Sequence, residues 1–209
     1  MSRRSSPLLT RRIIADTALR MMDRDGYAAF SLPRLGDELG VRTPSLYHHF
    51  RDRADILAEV ARTVVLRAEL PQHRPGDPWT EYFVRLSVNF RRTILRHHNA
   101  APVLLEFLPR DVLLARYEIA TAQLAHHAEV PASQYPVVMD GLEKLTLGSA
   151  LVEATGPGVR SDEPDSEQLF VGTVRAFLAG VVTLGEPGPP PIPTTPGAHE
   201  EHRLSVATG

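Results

Sequence analysis

Hydrophobic residues recur along this chain at intervals of three and four, which is the spacing of one face of a helix. From Ile13 onward they predict a first helix, for which Thr10 is the expected N-cap and which Gly26 ends. Further helices are predicted to begin at Ser31 and Asp52, and every apolar segment from Trp79 onward has the same helical spacing. The chain is therefore predicted to be all-α.

The segment Leu39 to Arg53, LGVRTPSLYHHFRDR, joins two of these helices through a tight turn. Gly40 can take the positive φ that ends a helix in a left-handed C-cap. Thr43 is the expected N-cap of the next helix, and Pro44 is its expected first residue, where a missing N–H costs nothing. We expect this next helix to be about eight residues long, a little over two turns.

Two apolar residues of this helix, Leu46 and Phe50, are four positions apart and share one face, which we expect to be buried. The other positions in and around the helix carry hydroxyl, imidazole or guanidinium groups: Arg42, Ser45, Tyr47, His48, His49, Arg51 and Arg53. A narrow apolar stripe among such groups is typical of the recognition helix that helix-turn-helix proteins place in the major groove. The alternative is a surface helical hairpin in which Tyr47 and His49 pack beneath the turn.

These residues resemble the signature of the TetR family of transcriptional repressors. The pattern LGV-x-x-x-x-LY-x-HF-x-x-(K/R)-x-x-(I/L)L is carried here by Leu39, Gly40, Val41, Leu46, Tyr47, His49, Phe50, Arg53, Ile56 and Leu57. RRTILRHHNAAPV (Arg91 to Val103) and LTLGSALVE (Leu145 to Glu153) are similar to the tetracycline-repressor branch of that family. The resemblance implies an N-terminal three-helix helix-turn-helix DNA-binding domain and a C-terminal helical ligand-binding and dimerisation domain.

The resemblance also implies which residues contact operator DNA. They are Ser31, Arg34, Arg42, Thr43, Pro44, Ser45, Tyr47, His48, His49 and Arg53, the last as a phosphate clamp. Ser31 matches a family hydroxyl that meets a phosphate, although N-capping explains it equally well. Pro33 stands where the tetracycline-repressor branch has a base-reading arginine. We therefore expect a different operator sequence, contacted through Arg34, Arg42 and the recognition helix.

A pocket for a small-molecule effector is implied by the C-terminal similarity. Leu86 and Leu104 stand where the tetracycline-repressor branch has polar groups that hold the drug and its magnesium ion, whereas Phe90 matches an aromatic lining position. We therefore expect an unknown effector that is largely apolar. The expected lining is drawn from Leu86, Phe90, Val103, Leu104, Phe107, Leu108, Tyr117 and Leu147, with ordinary core packing as the alternative role of each.

Three parts are predicted along the chain: a DNA-binding domain (1–58), an effector-binding and dimerisation domain (59–185) and a disordered Pro-rich tail (186–209). Two apolar segments, around Leu145 and Val174, contain small residues that allow helices to approach closely. Family members dimerise through such a pair in a four-helix bundle, so we expect a homodimer, with burial inside one subunit as the alternative. A polar loop between 156 and 167 is expected to separate the two segments.

Charge is unevenly distributed, because residues 1–67 carry 12 Arg against 8 acidic residues whereas the rest of the chain is acidic. A basic N-terminal third suits contact with phosphates, and Arg11 and Arg12 of the first helical turn fit that role. The sequence contains no cysteine and no long apolar run, so we expect a cytoplasmic protein that binds no membrane. The adjacent histidine pairs, such as His48–His49, are poorly spaced to chelate one ion, so neither a metal nor a cofactor is expected.

Together these patterns and the resemblance to the TetR family imply a homodimeric, ligand-responsive repressor that binds double-stranded operator DNA and releases it when an effector binds. An enzyme is not expected, because the sequence lacks a phosphate-binding glycine loop, a nucleophile elbow, an HExxH motif and a cysteine site. The remaining alternative is a helical adaptor or architectural protein without effector response.

Overall fold

The computed structural model describes residues 9–72, 74, 76–124, 130–156 and 164–183. Within these residues there are nine α-helices and no strand, which confirms the all-α prediction. The helices are α1 (Arg11–Asp25), α2 (Leu32–Leu39), α3 (Thr43–Leu46), α4 (Arg53–Arg67), α5 (Trp79–Arg96), α6 (Ala101–Glu106), α7 (Arg110–Leu124), α8 (Tyr135–Thr155) and α9 (Pro164–Thr183). Single 3-10 turns lie at Tyr27–Ala29, His98–Ala100 and Ala132–Gln134. The predicted Pro-rich tail and the pair His126–His127 lie outside the described residues.

Short polar side chains begin the N-terminal helices where the sequence predicts them. Thr10, Ser31 and Asp52 each accept a hydrogen bond from the backbone N–H three residues further on, at 3.2, 3.5 and 2.8 Å. Such caps satisfy backbone donors that have no partner in the first helical turn. Gly26 ends α1 with a φ of 83°. The predicted starts of α1, α2 and α4 are therefore confirmed.

The first four helices share one hydrophobic core, whose centre includes Ile14, Leu19, Leu35, Leu46 and Ile56, each with no exposed surface. Helix α4 crosses α1 with its buried face and continues past it to contact α5, α6 and α7. The same core extends into the C-terminal part of the chain. The predicted domain boundary at residue 58 falls inside α4, and α4 therefore joins the two parts as one continuous element.

A second hydrophobic core is formed by α5, α8 and α9, with Phe83, Val138 and Val174 at its centre. Arg91 on α5 is 2% exposed and ties these helices together. Its guanidinium pairs with Glu153 of α8 and donates to Ser166 Oγ of α9 at 2.7 Å. A buried cation is tolerated here because its donors have close acceptors.

The end of the polar loop differs from the prediction. Helix α9 begins at Pro164, so residues 164–167, expected in the loop, are helical. Pro164 suits a first helical turn because its fixed φ matches the helix and no N–H is needed there. The loop residues 157–163 lie outside the described part of the chain.

Candidate DNA-recognition surface and ligand cavity

The recognition segment, residues 42–50, is anchored in the hydrophobic core by the two apolar residues that the sequence predicted to be buried. Leu46 is 0% and Phe50 2% exposed, and both lie in the core shared with α1 and α4. On the outer side Arg42, Pro44, Tyr47 and His48 are exposed, while Thr43, Ser45 and His49 are partly buried. We call these seven residues the recognition surface. Tyr47 is half exposed, at 50%, so it does not pack beneath the turn.

Helix α3 is shorter than expected and begins differently. It spans four residues, Thr43–Leu46, and its N-cap is Arg42, with no side-chain capping bond. Thr43 is therefore the first helical residue, so its prediction as the N-cap was wrong. Beyond Leu46 the chain continues as a turn, in which the N–H groups of His49 and Phe50 both donate to Leu46 O at 3.0 Å. These turn bonds keep Phe50 on the buried side although the regular helix has ended.

The turn between α2 and α3 depends on two glycines. Gly40 ends α2 in the left-handed conformation, with a φ of 67°, as predicted. Gly36 is buried, and a Cβ there would lie 2.8 Å from Val41 O, closer than a carbon and an oxygen pack without strain. The close approach of α2 to the following turn therefore requires a residue without a side chain.

Arg11 of α1 holds the recognition segment through hydrogen bonds at the domain surface, a role that the sequence did not reveal. Its Nη1 donates to His49 O at 2.7 Å, and its guanidinium lies 4.0 Å from the centre of the Phe50 ring. Nη2 donates to Asp55 Oδ1 at 3.0 Å. The hydrogen bond from Arg11, together with that from the Arg51 N–H, lowers the pKa of Asp55 to about 2. Arg11 is thus engaged within the protein, whereas the neighbouring Arg12 side chain is 91% exposed.

Three arginines predicted to contact DNA differ in whether their side chains already bind other groups of the protein. Arg34 donates to Asp25 Oδ2 at 2.6 Å and to Ala29 O at 2.7 Å. The Arg53 guanidinium lies 5.7 Å from the Tyr27 ring centre and is exposed. Arg42 is exposed, and no hydrogen bond or ion pair engages its side chain within the described residues. Arg42 is therefore the freest of these three cations to meet a phosphate or a base.

A small cavity of about 40 Å³ lies between α5, α7 and α8. Its lining consists of Leu86, Ser87, Phe90, Leu113, Arg116, Tyr117, Met139, Leu142, Glu143 and Thr146. Three of the eight residues expected to contact an effector, Leu86, Phe90 and Tyr117, are among them. Pockets that hold drug-sized molecules are commonly about 300–1,000 Å³, so in this conformation the cavity holds only a small part of such a molecule.

The other five expected effector residues do not line this cavity. Val103 and Leu104 are 0% and 1% exposed in the core between α4 and α6, and Leu147 packs against the same core. Phe107 and Leu108 line a separate surface depression beside α4. Core packing, the alternative considered for each residue, describes Val103, Leu104 and Leu147. These residues are close to the cavity in sequence but pack in or against the core of the N-terminal helices instead of lining the cavity.

The polar groups of the cavity wall other than Tyr117 were missed by the sequence interpretation. Arg116 is half-buried on α7, and Tyr117 donates a hydrogen bond to the carboxylate of Glu143 on α8. The sequence spacing of α7 could have indicated that Arg116 faces inward, because Arg116 lies four residues after buried Val112 and four before buried Ala120. Residues at that interval share a helix face, so Arg116 belongs on the inner face of α7.

Outside the cavity, α8 and α9 carry an exposed strip of small and apolar residues. Its members are Gly148, Val152, Leu169, Gly172, Thr173 and Ala176, and we call it the α8–α9 face. Val152 and Leu169 are each 72% exposed. Small residues on neighbouring helices allow a further helix pair to approach closely, so this face has the composition of a helix-packing surface.

Fold and recognition surface together define the class: an all-helical protein with an N-terminal helix-turn-helix and a C-terminal bundle that encloses a cavity. Residues 14–60 match the family described as "Bacterial regulatory proteins, tetR family". Over 165 residues the chain is 26% identical to the tetracycline repressor protein class D of Escherichia coli, covering 75% of this chain and 72% of that protein. Residues 14–60 therefore form a TetR-family helix-turn-helix domain, and three quarters of the chain is similar in sequence to a tetracycline repressor.

Solved structures share the fold at low sequence identity. A single-residue variant of TetR from Acinetobacter baumannii AYE, in complex with minocycline, aligns with a TM-score of 0.71 at 19% identity, over 84% of this chain and 98% of that one. BioQ with its double-stranded DNA operator aligns with a TM-score of 0.61 at 21% identity, over 80% of this chain and 99% of that one. These similarities confirm the predicted helix-turn-helix architecture.

Two further features of the described residues bear on partners. None of their helices is both long and apolar enough to cross a membrane. The same residues contain no group of three or more His, Asp or Glu side chains placed to hold a metal ion. His97, one of the paired histidines, is 6% exposed and bonded to Asp23, as a satisfied core histidine would be.

Proposed function

We propose that this protein is a homodimeric repressor that binds a palindromic operator and releases it when a small molecule occupies the cavity of α5, α7 and α8. The observation that carries the proposal is the orientation of the recognition segment. Leu46 and Phe50 anchor it in the core while Arg42, Tyr47 and His48 remain exposed. An exposed strip of hydroxyl, imidazole and guanidinium groups on a helix-turn-helix suits hydrogen bonding to base edges and phosphates.

A second copy of the chain is the partner that the α8–α9 face supports. Leu169 and Val152 would each bury an apolar side chain that is 72% exposed in one protomer. The proposal requires that a two-fold axis through this face place both recognition surfaces on one side of the dimer. Half-sites on such an operator lie roughly 34–36 Å apart, one turn of B-DNA. The minocycline complex of the Acinetobacter baumannii TetR variant and the operator complex of BioQ are consistent with both halves of the proposal.

Helix α4 supplies the proposed route from the cavity to the recognition surface. It packs against α1 of the helix-turn-helix part and against α6 and α7 of the C-terminal part. Arg62 and Arg67 of α4 form ion pairs with Asp111 of α7 and Asp16 of α1. A ligand that moves α7 therefore moves α4 and with it the separation of the two recognition segments. To switch the protein from nearly all DNA-bound to nearly all DNA-free, the ligand must bind the DNA-free conformation more tightly than the DNA-bound one by about 5 kcal/mol.

The test is a fluorescence-anisotropy titration of the protein with DNA upstream of its own gene, against a scrambled duplex. We expect preference for the natural DNA and an affinity that falls steeply with salt, because phosphate contacts release counterions. Tyr47→Ala should weaken specific binding by about tenfold, equivalent to roughly 1.4 kcal/mol. Arg96→Ala, which removes an exposed arginine at the end of α5, is the control and should bind as the wild type does.

Equal affinity of the wild-type protein for natural and scrambled duplexes would contradict the operator proposal. It would favour the alternative of an architectural or adaptor protein. Unchanged specific binding by Tyr47→Ala would instead remove the recognition assignment from the α3 segment while leaving DNA binding in place.

A further inference from the structure

Arg116 places a positive charge in the wall of an otherwise mainly apolar cavity. Its Nη2 donates to Ala68 O at 2.6 Å, and within the described residues no carboxylate forms an ion pair with it. A guanidinium has five N–H donors in a planar fork, so one acceptor leaves most of them available. Burial lowers the pKa of Arg116, which is the direction expected when a cation is partly removed from water.

Three arginines on the neighbouring helix α5 have acidic partners. Arg91 pairs with Glu153, Arg92 with Glu167, and Arg85 with Asp77. Glu143 also lines the cavity, but its carboxylate accepts the hydroxyl of Tyr117 instead. A half-buried cation without a counter-charge is costly, and a negatively charged ligand group would offset that cost.

The other residues that line the cavity restrict the polarity of such a ligand. Apolar contact comes from side chains on three helices: Leu86, Phe90, Leu113, Met139 and Leu142. Because Glu143 also lines the cavity and repels a second acidic group, we expect the rest of the ligand to be neutral or to donate a hydrogen bond. A hydroxyl there would donate to Glu143. Met139 is unbranched and adaptable, so it can move aside as the cavity enlarges around a ring.

On the premise of the proposed effector response, we propose that this cavity binds an apolar ring compound bearing one acidic oxygen group, a carboxylate or a phenolate, and that Arg116 recognises that group. A bidentate hydrogen-bonded pair between a guanidinium and a carboxylate is strong and directional enough to favour an acid over a neutral compound of similar shape. The same guanidinium contacts Ala68, the residue that caps the C-terminal end of α4. An acid that draws Arg116 away from Ala68 O therefore alters a contact at the end of the connecting helix.

The experiment compares two probes that differ in charge and little in shape: 3-hydroxy-2-naphthoate and its neutral carboxamide. Isothermal titration measures the dissociation constant of each with the wild-type protein. We expect the acid to bind at least about tenfold more tightly, because charge-assisted hydrogen bonds are stronger than neutral ones. In Arg116→Met the preference should fall to about one, and Arg116→Lys should restore part of it because the positive charge remains.

Arg110→Met is the control, because Arg110 is an exposed arginine at the start of the same helix and should leave the preference intact. Circular dichroism melting of every variant verifies the fold. If Arg116→Met does not fold, the comparison of Arg116→Lys with the wild type decides the matter. Equal binding of acid and amide by the wild type, no binding of the acid up to about 1 mM, or an undiminished preference in folded Arg116 variants would overturn the inference.

The outcome is separable from that of the proposed function, because operator binding is measured on the wild-type protein without any probe. Specific DNA binding without a preference for the acid would overturn the proposed ligand class but not the proposal that the protein is a DNA-binding regulator. Acid preference without specific DNA binding would support the acid site and contradict the regulator.

Discussion

His97 Nδ1 and Asp23 Oδ2 lie 2.8 Å apart and join the end of α5 to the end of α1. His97 is 6% exposed, and its Nε2 lies 3.3 Å from Arg67 Nη1 on α4. Asn99 reinforces the same junction by donating to Asp23 O at 3.0 Å. The helix-turn-helix part and the C-terminal bundle are therefore bonded directly to each other, besides being connected through α4.

Removing the acid of this junction should destabilise the protein. Asp23→Ala leaves the buried imidazole of His97 without its acceptor, and we expect the free energy of unfolding to fall by about 1–2 kcal/mol. Urea unfolding followed by circular dichroism measures the change. Asp37→Ala, at an exposed position of α2, is the control and should change stability by no more than about 0.5 kcal/mol. Equal effects of the two substitutions would show that the junction contributes nothing to stability.

Stability should depend on pH through Asp55. Its pKa is about 2 in the folded protein, mainly because Arg11 donates to it, and about 3.9 is usual in an unfolded chain. The ionised carboxylate therefore stabilises the fold above about pH 4, and this contribution is lost as the pH falls through about 2. Asp55→Asn should be less stable than the wild type at pH 7, and the difference should shrink toward pH 2.

Urea midpoints of the wild type and Asp55→Asn between pH 7 and pH 2 measure this convergence. Since the Arg11 side chain is 44% exposed, solvent screens the pair, and we expect a difference near about 1 kcal/mol at pH 7. A constant difference across the whole range would contradict the role of the carboxylate charge.

Two neighbouring arginines should affect DNA binding unequally. Arg42 is exposed without an internal partner among the described residues, whereas Arg34 is held by Asp25 and the carbonyl of Ala29. Arg42→Ala should weaken operator binding by about tenfold and lower the slope of log K against log salt by about one per protomer. Arg34→Ala should have the smaller effect. The reverse order in anisotropy titrations would show that Arg34 leaves its internal partners on DNA.

Dimer formation should depend on the α8–α9 face. Leu169→Glu places a charge where an apolar side chain is 72% exposed in the protomer, and burying that charge in an interface without a partner is costly. We expect light scattering coupled to gel filtration to give the mass of a monomer. Leu114→Glu on α7 is the control, because Leu114 is also an exposed leucine, at 60%. A dimer that survives Leu169→Glu would place the interface elsewhere.

Gly36→Ala should strain the helix-turn-helix. The new Cβ would lie 2.8 Å from the backbone oxygen of Val41, and a backbone atom cannot turn aside as a side chain can. We expect a loss of about 1–3 kcal/mol in the free energy of unfolding, the usual cost of overpacking. Thermal melting measures it, and an unchanged melting temperature would show that the α2–α3 turn relaxes freely.

The helices and the orientation of the recognition segment could be derived from the sequence alone. Helix starts follow from local chemistry, because the hydroxyl of Thr10 and the carboxylate of Asp52 bond to N–H groups only three residues away. Leu46 and Phe50 likewise identify the buried side, since a spacing of four determines a shared face whatever lies beyond it. The length of α3 could not be predicted in the same way, because the spacing of Leu46 and Phe50 fits both a continuing helix and the turn that follows Leu46 in the structure.

The position of the cavity and the partner of each charged group depended on tertiary structure. Periodicity shows that Val103 and Leu104 are buried, but it does not show that they belong to the core of the N-terminal helices and not to the cavity wall. The internal role of Arg11 leaves no signal in its own helix, because its acceptors, His49 and Asp55, are 38 and 44 residues away. Local sequence determines which face of a helix is apolar, whereas only the packing of distant helices decides which groups meet across it.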